Sequence, residues 1–224
     1  APRRPPTLPA YADSDDDLGE LIALIKRHDA AGYQEAMQQR LARHGLTRFV
    51  LDTVAPLTTR IGEAWEDGNV EVFEEHLFTE MTKRLLRQAI AALPAGRGSP
   101  RVLLTTVPDE EHVLGLLMAE ALLGLEGAAC IGLGTQMPLL ETVRAAEAHR
   151  ADVVALSFSV AFPQRQVGGL LEQLRLMLPA TVALWAGGRG VGRAVPPPGT
   201  LLLPTLADAV AAVHAWRADH ATTA

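Results

Sequence analysis

Apolar residues recur at helical spacing along the first part of the chain. Leu18, Leu21, Ile22 and Ile25 fall three and four residues apart, directly after Ser14-Asp15-Asp16-Asp17. Ser14 suits a helix N-cap, and the three carboxylates suit the positive end of the helix dipole. Ala31-Gly32 closes this first helix, and a second is expected from about Tyr33 to His44, with Gly45 as its stop. A third, after Thr47, carries Phe49, Val50, Val54, Leu57, Ile61 and Trp65 up to a break at Gly68-Asn69. A fourth, from Val70 to Leu93, aligns Phe73, Leu77, Met81, Leu85 and Leu86 on one face. Four helices with short connections predict a bundle.

The period changes after Pro94-Ala95-Gly96-Arg97-Gly98-Ser99-Pro100. Short apolar runs follow at Val102–Thr105, Ala128–Leu133, Val153–Leu156, Val182–Trp185 and Leu201–Leu203. Helical stretches near 112–125, 138–149, 165–178 and 205–217 lie between and after them. Alternating strands and helices predict a parallel sheet covered on both faces, and five strands favour the flavodoxin-like, Rossmann-like order. The expected fold is therefore α/β: an N-terminal four-helix bundle followed by a five-stranded parallel-sheet domain. The boundaries read as a Pro- and Arg-rich disordered arm at 1–13, the bundle at 14–93, a linker at 94–100, the sheet domain at 101–218 and a tail at 219–224.

Composition narrows the function classes. A net charge of −6 argues against nucleic-acid binding, which needs clustered Lys and Arg. No apolar run is long enough to span a bilayer and no signal segment opens the chain, so no membrane partner is expected. The single Cys130 excludes an internal disulfide and reads as a buried strand residue. A reducing, cytoplasmic setting is the expectation.

In a doubly wound sheet, ligands bind beyond the C-terminal ends of the strands. Three segments fall there. The first is Asp109-Glu110-Glu111-His112-Val113-Leu114-Gly115, after the first strand. A histidine in that position can project into the crevice, and Glu110 could hold one ring nitrogen so that the other donates to a metal. Gly115 would let a bulky group approach closely. The second segment is Ser157-Phe158-Ser159 after the third strand, and the third is Gly187-Gly188 after the fourth. The loop from Gly187 to Gly192 lacks the Lys-Ser/Thr of a Walker motif and is not read as a phosphate loop.

Together these segments resemble the B12-binding domain family, whose pattern is Asp-x-His-x-x-Gly, Ser-x-Leu and Gly-Gly. Glu110 replaces the family's Asp and Ser159 its Leu; His112, Gly115, Ser157, Gly187 and Gly188 match. The resemblance implies that His112 ligates the cobalt of cobalamin in place of the cofactor's own benzimidazole. It also implies that the displaced nucleotide tail runs beside the sheet, near the Ser hydroxyl and the glycines.

In the helical part, Trp65 followed by Glu75-His76 resembles the signature of B12-dependent photoreceptors of the CarH type, with Val72 at a further matching position. That resemblance implies adenosylcobalamin as cofactor and a helical cap whose Trp, Val, Glu and His surround the adenosyl group. It further implies that light breaks the cobalt–carbon bond and that the cap then rearranges, changing a homo-oligomer or a light-dependent protein contact. The function expected is sensing, not catalysis. Two departures stand out. Glu66 occupies the position after the signature Trp, where a histidine can stand, and nothing in these 224 residues resembles the repressors' DNA-binding domain. Stand-alone relatives, the photocobilins, pair B12 with a bilin such as biliverdin, so a bilin enters as a second cofactor by that resemblance alone. The competing readings are a corrinoid carrier for a methyltransferase system and a cobalamin store without a switch.

Overall fold

The computed structural model describes residues 15–94, 98–192 and 194–221 of the chain. The expected arm at 1–13, its neighbour Ser14, and Ala95, Gly96 and Arg97 of the expected linker lie outside the described residues. The chain divides into two compact units, Ala1–Phe78 and Thr79–Ala224.

The first unit is helical. α1 (Asp15–Lys26) buries Leu18, Leu21 and Ile25 and ends before Asp29, not at Ala31-Gly32. Asp29 sets this limit by capping the next helix: its side chain accepts the Gly32 N–H at 2.8 Å. α2 (Ala30–Arg48) buries Tyr33 and Met37. At Gly45, the expected stop, the backbone leaves helical geometry (φ 74°, ψ 167°), and a helical path resumes one residue later. It runs on as a π-helical segment, Phe49–Val54, whose continuation is marked by Ala55 N–H donating to Val50 O, five residues back. α3 (Ala55–Glu66) begins there, with Pro56 in its first turn, where a missing N–H is tolerated, and buries Leu57 and Ile61.

α4 (Val72–Ala91) starts two residues later than the periodicity suggested. Glu74 accounts for the start: its buried carboxylate accepts the Glu71 N–H at 2.9 Å, the reach-back half of a capping box. The expected inward face needs one correction. Phe73 is 58% exposed, whereas Phe78 is buried and meets Tyr33 edge-on at a centroid distance of 6.3 Å. The helix is therefore turned so that Phe78 faces inward; α4 crosses the division between the units, and Thr82, Leu85 and Leu86 in its second part are buried.

The second unit is a doubly wound sheet. Its strands are β1 (Gly98–Thr105), β2 (Ala128–Gly132), β3 (Val153–Ser157), β4 (Ala183–Gly187) and β5 (Thr200–Leu203), all parallel, in the order β2-β1-β3-β4-β5. This is the flavodoxin-like order that the alternation of elements predicts. Side chains alternate across it: Val102 and Leu104 join a core with Leu116, Leu123 and Val213, from α5 (Leu114–Leu125) and α8 (Leu206–Ala221). Leu103 joins the opposite core with Ala146 of α6 (Leu139–Ala148) and Val167 and Leu171 of α7 (Gln164–Met177). α8 runs past the expected end at residue 217. Phe158, fully buried beyond β3, meets Phe162 at 5.4 Å and locks the loop at the C-terminal edge. Phe158→Ala should destabilise this unit by about 3–5 kcal/mol in urea unfolding.

Candidate cobalamin site

The sheet's C-terminal edge brings the three sequence segments together. Register places Ser157 beside Gly187, and Thr105 beside Leu156. The helix after β1 begins at Leu114, so His112 stands in the preceding loop. In that loop Asp109 takes a left-handed conformation (φ 66°), which turns the chain so that Glu110 points inward and His112 outward. The Glu110 carboxylate is 1% exposed, whereas the His112 side chain is 53% exposed.

Glu110 is the hub. Its Oε1 accepts the His112 backbone N–H at 3.0 Å and lies 2.7 Å from the ring Nδ1. Its Oε2 accepts the Ser159 N–H at 2.7 Å. An ionised carboxylate can only accept, so Nδ1 carries the ring proton and Nε2 the lone pair. The Ser159 hydroxyl stands 3.1 Å from the same Nδ1. Burial pushes the Glu110 carboxyl upward, but bonds from the His112 ring and from the Ser159 and His112 amides outweigh it and hold the group below the ordinary carboxylate value. A depressed folded pKa stabilises the fold above the unfolded-state pKa, and that stability is lost as pH falls through the folded value. Urea midpoints measured from about pH 6 down to about pH 3 should therefore fall less in Glu110→Gln than in the parent chain.

Two glycines shape the space beside the histidine. A Cβ on Gly115 would stand 3.1 Å from Ser157 Oγ, so the first turn of α5 lies close against the end of β3. Gly188 has φ 96°, and a Cβ there would fall 2.3 Å from Phe158 O. Gly187 O accepts the Phe158 N–H at 2.9 Å, tying the two edge loops. These features suit a lower cobalt ligand: an imidazole with its Nδ1 side held by a buried carboxylate, beside backbone that no side chains fill.

The remaining expected residues belong to the helical unit. Trp65, 49% exposed, closes α3, and Val72, 58% exposed, opens α4. Val72, Glu75 and His76 follow at i, i+3 and i+4 and so share a helix face. His76 Nδ1 donates to Val72 O at 2.8 Å and stands 3.0 Å from Glu75 Oε2. Trp65 and Val72 are both large apolar side chains left exposed at the α3–α4 junction. Cys130 is of another kind: burial, with Glu120 nearby, pushes its thiol up to about 12, so it stays protonated.

Sequence reasoning missed several contributors. Thr106, buried beyond β1, accepts the Gln136 N–H at 2.8 Å and donates to Glu110 O. In the helical unit, His28 Nε2 lies 3.3 Å from Glu74 Oε1 and its ring 5.3 Å from Phe73. The readable signals were a polar Thr pair ending an apolar strand and a Glu three residues after a helix start.

Across 90% of its length the chain shares the fold of the whole monomethylamine corrinoid protein of Methanosarcina barkeri, with a TM-score of 0.69 at 16% identity. Residues 18–90 match the family model of the B12 binding domain. The chain is 32% identical over 168 residues to the HTH-type transcriptional repressor CarH of Myxococcus xanthus, covering 75% of this chain and 56% of that protein. It is 34% identical over 122 residues to the HTH-type transcriptional repressor CarA of the same organism, covering 54% of this chain and 42% of that protein. The chain thus spans about half the length of the curated relatives it matches. Among the described residues, no helix is long and apolar enough to cross a membrane.

Proposed function

We propose that the chain is a light sensor that binds adenosylcobalamin base-off, with His112 as the lower cobalt ligand. The observation that carries this reading is the buried Glu110 carboxylate on His112 Nδ1, which presents Nε2 as the donor at a sheet edge. When bound, the cofactor supplies a cobalt–carbon bond that visible light can break. The chain's own residues do the rest. Glu110 holds the ring tautomer, Ser159 braces it, and Gly115, Ser157, Gly187 and Gly188 leave room for the nucleotide tail. Trp65 and Val72 offer apolar surface to the adenosyl group, while Glu75 and His76 can hydrogen-bond its ribose or base. Those contacts exist only while the adenosyl group is present, so its loss favours a different arrangement of the helices and a changed self-assembly or partner contact. In this reading cobalamin is the cofactor the chain uses, and the chain acts as a sensor, not an enzyme.

The exposed Trp65 and the identity to CarH favour a sensor over a corrinoid carrier of the same fold. The test is the purified chain loaded with adenosylcobalamin, with absorption and solution size compared before and after green light. A sensor changes both; a carrier or a store shows photolysis of the pigment with no change in size. Trp65→Ala should lower the preference for adenosylcobalamin over methylcobalamin by roughly three- to tenfold, the worth of one well-packed aromatic contact. Equal weakening towards both forms would make Trp65 a structural residue.

A further inference from the structure

We propose that Thr106 is a positioning residue for the cobalt ligand, acting through the main chain of Glu110; the inference rests on the cobalamin reading above. Thr106 is fully buried, and its hydroxyl joins two loops. It donates to Glu110 O in the 107–112 loop and accepts the Gln136 N–H, at 2.8 Å, in the loop after β2. Its own carbonyl accepts the Met137 N–H at 3.0 Å. Each loop also contains a non-glycine residue in the left-handed region, Asp109 at φ 66° and Gln136 at φ 61°. Such conformations persist only where the surroundings over-determine them, and the Thr106 hydroxyl bonds to the chain directly beside both.

The consequence reaches the metal ligand by a short path. Thr106 sets the position of the Glu110 carbonyl, and the Glu110 side chain in turn holds the His112 amide and ring. Isosteric Val would remove the hydroxyl and leave the Gln136 N–H and Glu110 O without that partner in a buried place. The strain at Asp109 could then relax, swinging the imidazole from the line it needs. Thr105, one residue earlier, provides the comparison. Its hydroxyl donates to Gly134 O at 2.9 Å and approaches Thr106 O at 3.4 Å, and so braces the second loop.

The experiment loads the full chain with adenosylcobalamin in the dark and reads the ratio of His-ligated to unligated cofactor from the visible spectrum. Thr106→Val should lower that ratio about tenfold, the lower end of effects seen when groups supporting a metal ligand are removed. Thr106→Ser keeps the hydroxyl and should restore it, while Thr105→Val should stay within about twofold of the parent chain. Thr106→Ala carries the same expectation if the Val variant does not fold. A parent-like spectrum in Thr106→Val or Thr106→Ala overturns the proposal, as does an equal loss in Thr105→Val, which would mark a general softening of the loops. If the parent chain itself binds cobalamin without a His ligand, the cobalamin reading fails first, and the two failures are distinct.

Discussion

His112→Ala should remain folded and yet lose cobalamin affinity by at least roughly tenfold, about 1.4 kcal/mol. The residue is half exposed in a loop, and its own side chain fills no core. Removing the ring frees the Glu110 carboxylate from one bond but leaves it those from the Ser159 and His112 amides, so the buried charge is still held. Circular dichroism should therefore be close to that of the parent chain while equilibrium dialysis shows the loss. Unchanged affinity, with an unchanged ligand spectrum, would remove His112 from the site.

Gly188→Ala is the second large effect, and it acts on the fold. At φ 96° and ψ 169° an L side chain is strained whatever the space around it, and here the space is taken. The new methyl would press on Phe158 O, which already accepts the Gly190 N–H at 3.1 Å. Strain and clash together should cost about 3 kcal/mol, lowering the melting temperature by roughly 6–12 °C for a unit of this size. Cobalamin binding should fall with it, because Phe158 is flanked by Ser157 and Ser159. A melting temperature within about 2 °C of the parent would show that the loop yields at little cost.

The sheet was legible because its signals are local and repeated. Apolar runs such as Val102–Thr105 and Val153–Leu156 alternate with amphipathic stretches, and a right-handed crossover rule leaves few orders for five such strands. The helical unit was legible in content but less so in detail. Gly45 interrupts the helix as expected, but the helical path that resumes after it runs through a π segment into α3, which periodicity alone does not signal. On α4 the choice between Phe73 and Phe78 depends on the helix's rotation, which the Glu74 cap and the contact of Phe78 with Tyr33 set in three dimensions. Periodicity over a helix with apolar residues on several sides cannot supply that phase.

The candidate site divides in the same way. His112, Glu110 and the glycines were legible as a motif at strand ends. Ser159 read as a mismatch to a family Leu, yet its amide and hydroxyl both reach the Glu110–His112 pair. Thr106 was legible only as a polar residue ending an apolar strand, because its hydroxyl bonds to main-chain atoms of Glu110 and Gln136, which leave no side-chain pattern. The same holds for Asp109, whose left-handed backbone is uncommon for a residue other than glycine.

The central claim is that a protein imidazole, not the cofactor's own base, lies below cobalt, and one measurement addresses it directly. The chain is produced with ¹⁵N-labelled histidine, loaded with unlabelled cobalamin, reduced to the paramagnetic cobalt(II) state and examined by electron paramagnetic resonance. A nitrogen on the axis of cobalt splits each high-field line. Ligation by His112 predicts the two-line pattern of ¹⁵N, collapsing to an unsplit signal in His112→Ala. A three-line pattern from the cofactor's own ¹⁴N benzimidazole, or no splitting in the parent chain, would contradict the account.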